Sequence, residues 1–316
     1  MARRAHTRML ILASAAVATT LALGACGTGE AGGGDGTDGG DATAAGGEIA
    51  IGSANFPESE IIATIYSIAL EDAGFTVTEN FNIGAREVYL AAVEEGSVDL
   101  VPDYTGNLLY FLDAEATAAS SEDIAAALPA ALEAAGLVAY EQSPAEDKDS
   151  ITVTAETAEQ WNLTSIGDLA AYNDELKIGA APEFAERSYG LPGLEEKYGV
   201  IPTEFVPIAD GGGPATVGAL LDGSVQAADI YTTTPAIANE DLVVLEDPEN
   251  NFTAQNVIPI LNADSASAEI EAVLNPISAA LTTEDLIALN NRVSGDEKAE
   301  PSTAAQEWLE EKGLLG

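Results

Sequence analysis

The sequence predicts an α/β fold made of two lobes. Short β-branched runs alternate with amphipathic helical runs from Glu48 onward, an order typical of a parallel sheet. A strand–helix device also occurs twice, because five residues recur 127 positions later. Gly96, Ser97, Val98, Tyr104 and Thr105 return as Gly223, Ser224, Val225, Tyr231 and Thr232. Ligands bind beyond the carboxyl ends of strands in open α/β sheets, so these two ends predict a cleft between two lobes. The alternative is that two α/β domains share a common turn by chance.

The first strands and helices follow from local sequence patterns. Apolar residues at helical spacing, including Ile61 and Ile65, predict a helix that begins near Asn55 and ends before Gly74. The β-branched runs around it predict strands, and Pro102 is expected to end the third strand. The predicted elements are the strand Ile49–Ser53, the helix Asn55–Ala73, the strand Phe75–Asn80, the helix Glu87–Glu95 and the strand Val98–Val101.

Two later strands are expected to carry the chain between the lobes. The β-branched run Ser150–Thr154 predicts one crossing strand, and the apolar run Asn256–Leu261 predicts the return crossing. The first lobe is therefore predicted to combine residues 48–150 with 256–316, and the second lobe to span residues 151–255.

The last part of the chain is predicted to be helical. The pattern of apolar residues predicts helices at Ala266–Ala280, Thr283–Ser294 and Ser302–Lys312. Trp308 and Leu309 in the last helix are expected to pack on the first lobe.

The N-terminus carries targeting signals. Residues 1–25 combine three arginines with an apolar run, the layout of a signal peptide, and Leu23-Gly-Ala-Cys26 resembles a bacterial lipobox. This predicts a diacylated Cys26 that anchors the protein to the outer face of the cell membrane. A simple secretory signal with a chance cysteine is the alternative. Residues 26–47, rich in Gly and Asp, are expected to be a flexible tether.

Composition excludes several classes of function. The formal net charge is −42. Removal of residues 1–25, which hold three of the 11 cations and no acid, leaves eight cations against 53 acids, a net charge of −45. Such a field repels nucleic acid and favours cationic or zwitterionic ligands.

His6 and Cys26 are the only histidine and cysteine, which argues against a Ser-His-Asp or Cys-His enzyme, a zinc site or a disulfide. No metal or cofactor is expected. Hydrolysis by paired carboxylates stays possible.

Four stretches, in order, resemble one family: the substrate-binding proteins of ABC importers for quaternary-ammonium osmoprotectants such as glycine betaine, choline and carnitine. They are Ile51-Gly-Ser-Ala-Asn-Phe-Pro-Glu-Ser59, Pro102-Asp-Tyr-Thr-Gly106, the stretch Ala181–Leu194 around Arg187, and Asp229-Ile-Tyr-Thr-Thr233. The resemblance covers about residues 48–312 and implies a two-lobed periplasmic-binding-protein fold of type II with two crossing hinge segments. It implies a solute-binding protein, not an enzyme, that works as a monomer with an ABC permease and ATPase.

The resemblance also assigns site residues. Tyr104 and Tyr231 correspond to tyrosines of a cage around the quaternary ammonium, and Arg187 corresponds to the clamp on the ligand carboxylate. Polar contacts are expected from Thr105, Asn107 and Thr232, and Ser53 and Asn55 belong to the first motif. Two further cage tyrosines of the family fall on Asp149 and Gln255 in this sequence.

These departures leave the ligand open. Asp149 can pair directly with a cation where the family has an aromatic wall, and Tyr189 stands where the family has an Asp. A less methylated cation, proline, ectoine or another amino-acid-like solute is therefore the alternative to glycine betaine. A surface receptor lipoprotein of the same fold that feeds no transporter is a further alternative.

Overall fold

The computed structural model describes residues 46–316. Cys26, the signal peptide and nearly all of the tether lie outside the described residues. Within 46–316, ten strands form two five-stranded sheets. The strands are β1 Glu48–Ala54, β2 Thr76–Gly84, β3 Leu100–Tyr104, β4 Leu137–Ala139, β5 Ile151–Thr154, β6 Lys177–Ala180, β7 Glu204–Pro207, β8 Ala227–Asp229, β9 Leu242–Val244 and β10 Val257–Asn262.

Eleven α-helices connect and cover these strands in the described part of the chain. Two 3₁₀ turns, Ile166–Tyr172 and Pro182–Ala185, add to them. The helices are α1 Pro57–Asp72, α2 Arg86–Glu94, α3 Thr105–Leu112, α4 Ser121–Ala134, α5 Ala155–Trp161, α6 Leu191–Tyr198, α7 Pro214–Leu221, α8 Ala236–Asn239, α9 Ala268–Ala280, α10 Thr283–Ser294 and α11 Pro301–Lys312.

The two sheets repeat one topology. The first has the strand order β2-β1-β3-β10-β4 and the second has the order β7-β6-β8-β5-β9. In each, four strands run in one direction, and the strand in fourth place, β10 or β5, runs antiparallel to its two neighbours. We call the units built on these sheets the first and the second lobe. The α/β prediction is confirmed, whereas the limits of the lobes at residues 150 and 255 stay a prediction.

The chain crosses between the lobes just before the strands that were predicted to cross. Ser150–Thr154 and Asn256–Leu261 each lie mostly within one sheet, as β5 and β10. We call residues 140–150 and 245–256 the crossing segments. They run side by side up to the start of β10, because Asp147 N donates to Gln255 O at 3.2 Å and Val257 N, at the first residue of β10, donates to Ala145 O at 3.0 Å.

Pro102 does not end β3, contrary to the prediction. The strand continues to Tyr104, and Pro102 lies opposite Pro259 of β10. In an antiparallel ladder, pairs that exchange hydrogen bonds alternate with pairs that exchange none. Two prolines facing each other have no N–H to exchange, so they occupy a pair of the second kind and the ladder loses no bond.

The C-terminal helices complete the core of the first lobe. Trp308 and Leu309 of α11 are buried in the same cluster as Ile61 and Ile65 of α1 and Leu274 of α9. The prediction that the last helix packs on the first lobe is therefore confirmed. α1 lies between the sheet and this C-terminal helix, so its position depends on apolar contacts on two sides.

Replacing Leu309, which is fully buried, by Ala should lower the free energy of unfolding by about 2–5 kcal/mol, because the lost side chain leaves a cavity between α11 and α1. Urea denaturation followed by circular dichroism measures the change. Ile287→Ala in α10 is the control, since that side chain is 41% exposed and should cost far less. Equal losses in the two variants would contradict this view of the core.

Candidate functional site

The cleft between the lobes contains a cavity of about 100 Å³. One side is formed by residues at the ends of β1 and β3 and the start of α2, and the other by residues that follow β6 and β8. These are the carboxyl ends of parallel strands, where ligands of α/β folds bind. A wider groove of about 690 Å³ adjoins this cavity and shares Phe56, Asp147, Gly211 and Tyr231 with it.

Three aromatic side chains meet in the cavity. The ring of Phe56 lies 6.1 Å from that of Tyr104 and 5.4 Å from that of Tyr231, measured between centroids. The Phe56–Tyr231 pair is edge-to-face at 72° and joins the two lobes. Phe56 and Tyr104 are the N-cap residues of α1 and α3, so both stand where an extended backbone turns into a helix. Tyr231 follows the end of β8.

Carboxylates from the first crossing segment line the same cavity. Asp149 is buried, and its Oδ2 accepts a hydrogen bond from Asn107 Nδ2 at 2.7 Å. Asp147 is buried as well, and its Oδ1 accepts from Thr233 N at 3.0 Å and from Thr232 Oγ1 at 3.2 Å. Burial raises the pKa of the Asp147 carboxyl well above its usual range, and the nearby Glu58 raises it further.

Asp229, the last residue of β8, is close to Asp149 and is 3% exposed. Burial raises the pKa of its carboxyl well above the usual range, and the charge of Asp149 adds to the shift. Its Oδ1 is buried without a hydrogen-bond partner among the described protein atoms. Asp149 lines the cavity and makes this wall attractive to a cation, whereas Asp229 is not among the lining residues and its raised pKa favours the neutral form.

Glu58 links four parts of the chain below the aromatic residues. It lies in the first turn of α1 and is 4% exposed. Its Oε1 accepts from Tyr104 Oη at 2.7 Å, and its Oε2 accepts from Thr233 Oγ1 and Asn290 Nδ2, both at 2.6 Å. Because Thr233 follows β8 and Asn290 belongs to α10, this one carboxylate joins the second lobe to both ends of the first.

Two arginines line the cavity, and each is engaged by a carboxylate. Arg86 donates to Asp103 with Nε at 3.2 Å from both oxygens and Nη2 at 2.7 Å from Oδ1, in a buried pair. Arg187 donates from Nη1 to Tyr189 Oη at 2.8 Å, and from Nη2 to both oxygens of Glu87 at 3.2 Å. Glu87 belongs to α2, so this ion pair joins the two lobes.

Six of the ten ligand residues predicted from the sequence line the cavity. They are Asn55, Tyr104, Asn107, Asp149, Arg187 and Tyr231. The prediction that they bind ligand stays a prediction, since the structure gives only their position.

The other four predicted residues are not among those that line the cavity. Thr105 Oγ1 accepts from Asn256 N at 3.1 Å, and Gln255 holds Asn107 through two hydrogen bonds of 3.0 and 2.6 Å. Ser53 Oγ accepts from Asn82 N at 2.8 Å, which fixes the end of β1. Thr232 bonds to the crossing segment and stands in a turn, so the second strand end opens no helix there.

Gln255 reaches Asn107 because Gly106 lets the backbones come close. A Cβ at Gly106 would lie 2.5 Å from Ala254 O and 3.0 Å from Gln255 Nε2. A larger residue at this first turn of α3 would therefore push the helix away from the second crossing segment.

The sequence reasoning missed Phe56, Glu58, Arg86 and Asp147 as components of the site. Phe56 carries a signal that could have found it, because it follows a strand and begins a helix as Tyr104 does. The isolated cations of an acidic chain were a second signal, since Arg86 is one of only eight in residues 26–316.

The arrangement suits recognition of a small organic cation. Aromatic rings attract a cation through their faces, and the neighbouring carboxylates add a negative field that burial leaves poorly screened. Asn107 and Arg187 also line this cavity, and Arg187 is already paired with Glu87. Among residues 46–316, no group of three or more His, Cys, Asp or Glu residues is arranged to hold a metal ion.

Comparison with known proteins agrees on one family. The profile of the OpuAC family, described as the substrate binding domain of ABC-type glycine betaine transport system, matches residues 47–311. The chain is 27% identical over 278 residues to the glycine betaine-binding protein YehZ of Escherichia coli K12, an alignment that covers 84% of this chain and 90% of that protein. It is 25% identical to the carnitine transport binding protein OpuCC of Listeria monocytogenes, over 84% of this chain and 87% of that protein.

Solved structures share the fold. A crystal structure of a glycine betaine/carnitine/choline ABC transporter protein superposes with a TM-score of 0.65 at 21% identity, covering 85% of this chain and all of the other. The two-lobed fold predicted from the sequence is thus confirmed.

Asp229→Asn should make the stability of the protein less dependent on pH. A raised pKa in the fold means that the stability contributed by protonated Asp229 is present at low pH and is lost as pH rises toward that pKa. Asn keeps the neutral form at every pH. The free energy of unfolding of the variant should therefore rise relative to that of the parent from about pH 4, near the pKa of an unfolded Asp, up to the raised pKa of the folded state, by about 1.4 kcal/mol per pH unit.

Urea denaturation at several pH values measures this difference. Asp264→Asn, at an exposed turn of the first lobe, controls for the loss of one surface charge. A constant difference between Asp229→Asn and the parent at all pH values would contradict the assignment.

Proposed function

Since the chain belongs to the family of substrate-binding domains of ABC-type glycine betaine transport systems, we propose that it is the extracytoplasmic solute-binding component of an ABC importer. It binds a quaternary-ammonium or related compatible solute, similar to glycine betaine, in the cleft between its lobes. The observation that carries the proposal is the meeting of Phe56, Tyr104 and Tyr231 beside the buried Asp149.

A quaternary ammonium group has no N–H to donate, so hydrogen bonds cannot select it. Aromatic faces can select it, because each ring attracts the cation by about 0.5–2 kcal/mol, and an adjacent carboxylate strengthens the attraction. The family places tyrosines at the positions of Asp149 and Gln255. In this chain Phe56 supplies a third ring, and Asp149 supplies charge in place of a fourth.

Binding and closure of the lobes are one process in this proposal. Phe56 and Tyr104 belong to the first lobe and Tyr231 to the second. A bound cation therefore contacts all three rings only when the lobes approach each other. A ligand shifts the population toward the closed form by the contacts that it makes only there. The closed form is then delivered to a permease and its ATPase.

The proposed location is the outer face of the cell membrane, with Cys26 as the lipidated first residue and residues 26–47 as the tether of a monomer. Within residues 46–316, the helices lack the combination of length and apolar character that a membrane span needs.

Labelling of the expressed protein with a radioactive fatty acid tests the anchor, and Cys26→Ala should abolish the label.

A thermal-shift panel tests the ligand class. Glycine betaine, choline, carnitine, proline and ectoine are added separately to the purified protein, and the melting temperature is measured. We expect at least one quaternary-ammonium compound to raise the melting temperature by several degrees, which is the effect of a ligand at roughly ten to a hundred times its dissociation constant. A rise with proline or ectoine alone would keep transport as the function and exclude the quaternary-ammonium ligand. No rise with any of them would contradict the proposal.

Tyr231→Leu should weaken the binding of a quaternary-ammonium ligand by about two- to thirtyfold, the equivalent of roughly 0.5–2 kcal/mol, because a face that attracts the cation is lost. Tyr231→Phe is the matched control and should bind almost as the parent does, since the ring stays. Isothermal titration calorimetry measures both. An equal loss in the two variants would assign the role to the hydroxyl and not to the ring.

A further inference from the structure

The guanidinium of Arg187 already holds a carboxylate from its own chain. Its Nη2 lies 3.2 Å from both carboxylate oxygens of Glu87, and Glu183 Oε1 lies 3.8 Å away. Its Nη1 is engaged by Tyr189 Oη at 2.8 Å. Arg187 belongs to the second lobe and lines the cavity, and Glu87 belongs to the first lobe, so the pair joins the two lobes beside the cavity.

The fold fixes Glu87 in this place. It is the second residue of α2, where the positive end of the helix dipole stabilises an acidic side chain. Partial burial acts to raise the pKa of its carboxyl, but the backbone N–H and the charge of Arg187 outweigh burial and hold the pKa below its usual range. Glu87 is therefore ionised at neutral pH. The preceding residue, Arg86, is locked by its pair with Asp103, which holds the start of α2 against β3.

The rest of the cavity wall is negative. Each of its two arginines has a carboxylate within 3.2 Å, Asp103 for Arg86 and Glu87 for Arg187. Asp149, by contrast, lines the cavity and accepts a hydrogen bond from the amide of Asn107, and no lysine or arginine among the described residues 46–316 forms an ion pair with it. A ligand in this cleft thus meets the negative charge of Asp149, which attracts its cationic end, and two arginines that other acids have neutralised.

We infer that Glu87 is a specificity-determining residue, which occupies Arg187 in place of a ligand carboxylate and thereby makes the cleft select small organic cations without a carboxylate over zwitterions. The inference rests on the proposed function, because it concerns the ligand of the same cleft.

The reason is a competition between two carboxylates for one guanidinium. A zwitterion must either displace Glu87, which breaks an ion pair between the lobes, or place its carboxylate beside that of Glu87, where like charges repel. A cation without a carboxylate leaves the Glu87–Arg187 pair intact. That pair then holds the lobes together over the ligand, so it assists closure instead of opposing it.

Choline and glycine betaine make the test direct, since both carry a trimethylammonium group and only the second carries a carboxylate. Titration calorimetry of the full-length protein gives the ratio of their dissociation constants. The parent should bind choline at least about tenfold more tightly, a difference of roughly one unit in the logarithm of the binding constant. Glu87→Gln should bind glycine betaine about tenfold more tightly than the parent does, and the ratio should fall accordingly.

Glu94→Gln is the matched control. It removes one negative charge from the other end of the same helix, at an exposed residue that does not line the cavity, and it should leave the ratio as in the parent. Circular dichroism and the melting temperature establish that both variants fold.

The outcomes separate the two proposals. Two results would contradict the role proposed for Glu87 and leave the proposed function intact. In the first, either compound binds but Glu87→Gln changes the ratio of dissociation constants by less than about twofold; in the second, the parent prefers glycine betaine. If neither compound binds to the parent or to the variants, the proposed ligand class fails and the inference fails with it.

Discussion

The pairing of the two crossing segments is the interaction on which the cleft depends. Backbone hydrogen bonds from Val257 to Ala145 and from Asp147 to Gln255 hold the segments side by side where the chain passes between the lobes. The same segments supply side chains to the site. Asp147 and Asp149 of the first segment line the cavity, and Gln255 of the second holds Asn107 by a hydrogen bond. The crossing segments and the acidic wall of the cleft are therefore one structure.

Charge is distributed very unequally in this protein, and the inequality gives the cleft its character. Only eight cations remain after the N-terminal 25 residues, against 53 acids. Two of the three arginines among them lie in the cleft, where each is paired. An acidic surface keeps the chain soluble, but the buried carboxylates need a different explanation, since burial of an unpaired charge is costly. Protonation, which the raised pKa values of Asp147 and Asp229 favour, and a cationic ligand are two ways to offset that cost.

The sequence predicted those features that depend on local patterns. Helical periodicity gave α1 and the C-terminal helices, and a tyrosine after each of two strand ends gave Tyr104 and Tyr231. It missed what depends on pairing between distant residues. Arg86 and Asp103 are 17 positions apart, Glu87 and Arg187 are 100 apart, and Glu58 reaches Asn290 across 232 positions. Pro102 was misjudged for the same reason, because its partner in the ladder is a proline 157 positions away.

The position of β10 has a consequence for the way in which the chain acquires its structure. β10 lies between β3 and β4 in the first sheet, although more than 110 residues separate it from either strand in the chain. A growing or refolding chain can complete the second sheet from strands that are contiguous in sequence. The first sheet, in contrast, stays split into two parts until residue 262 arrives, and its core stays open until α11 covers α1. The lobe that begins first should thus be finished last, with the long-range closure setting its rate.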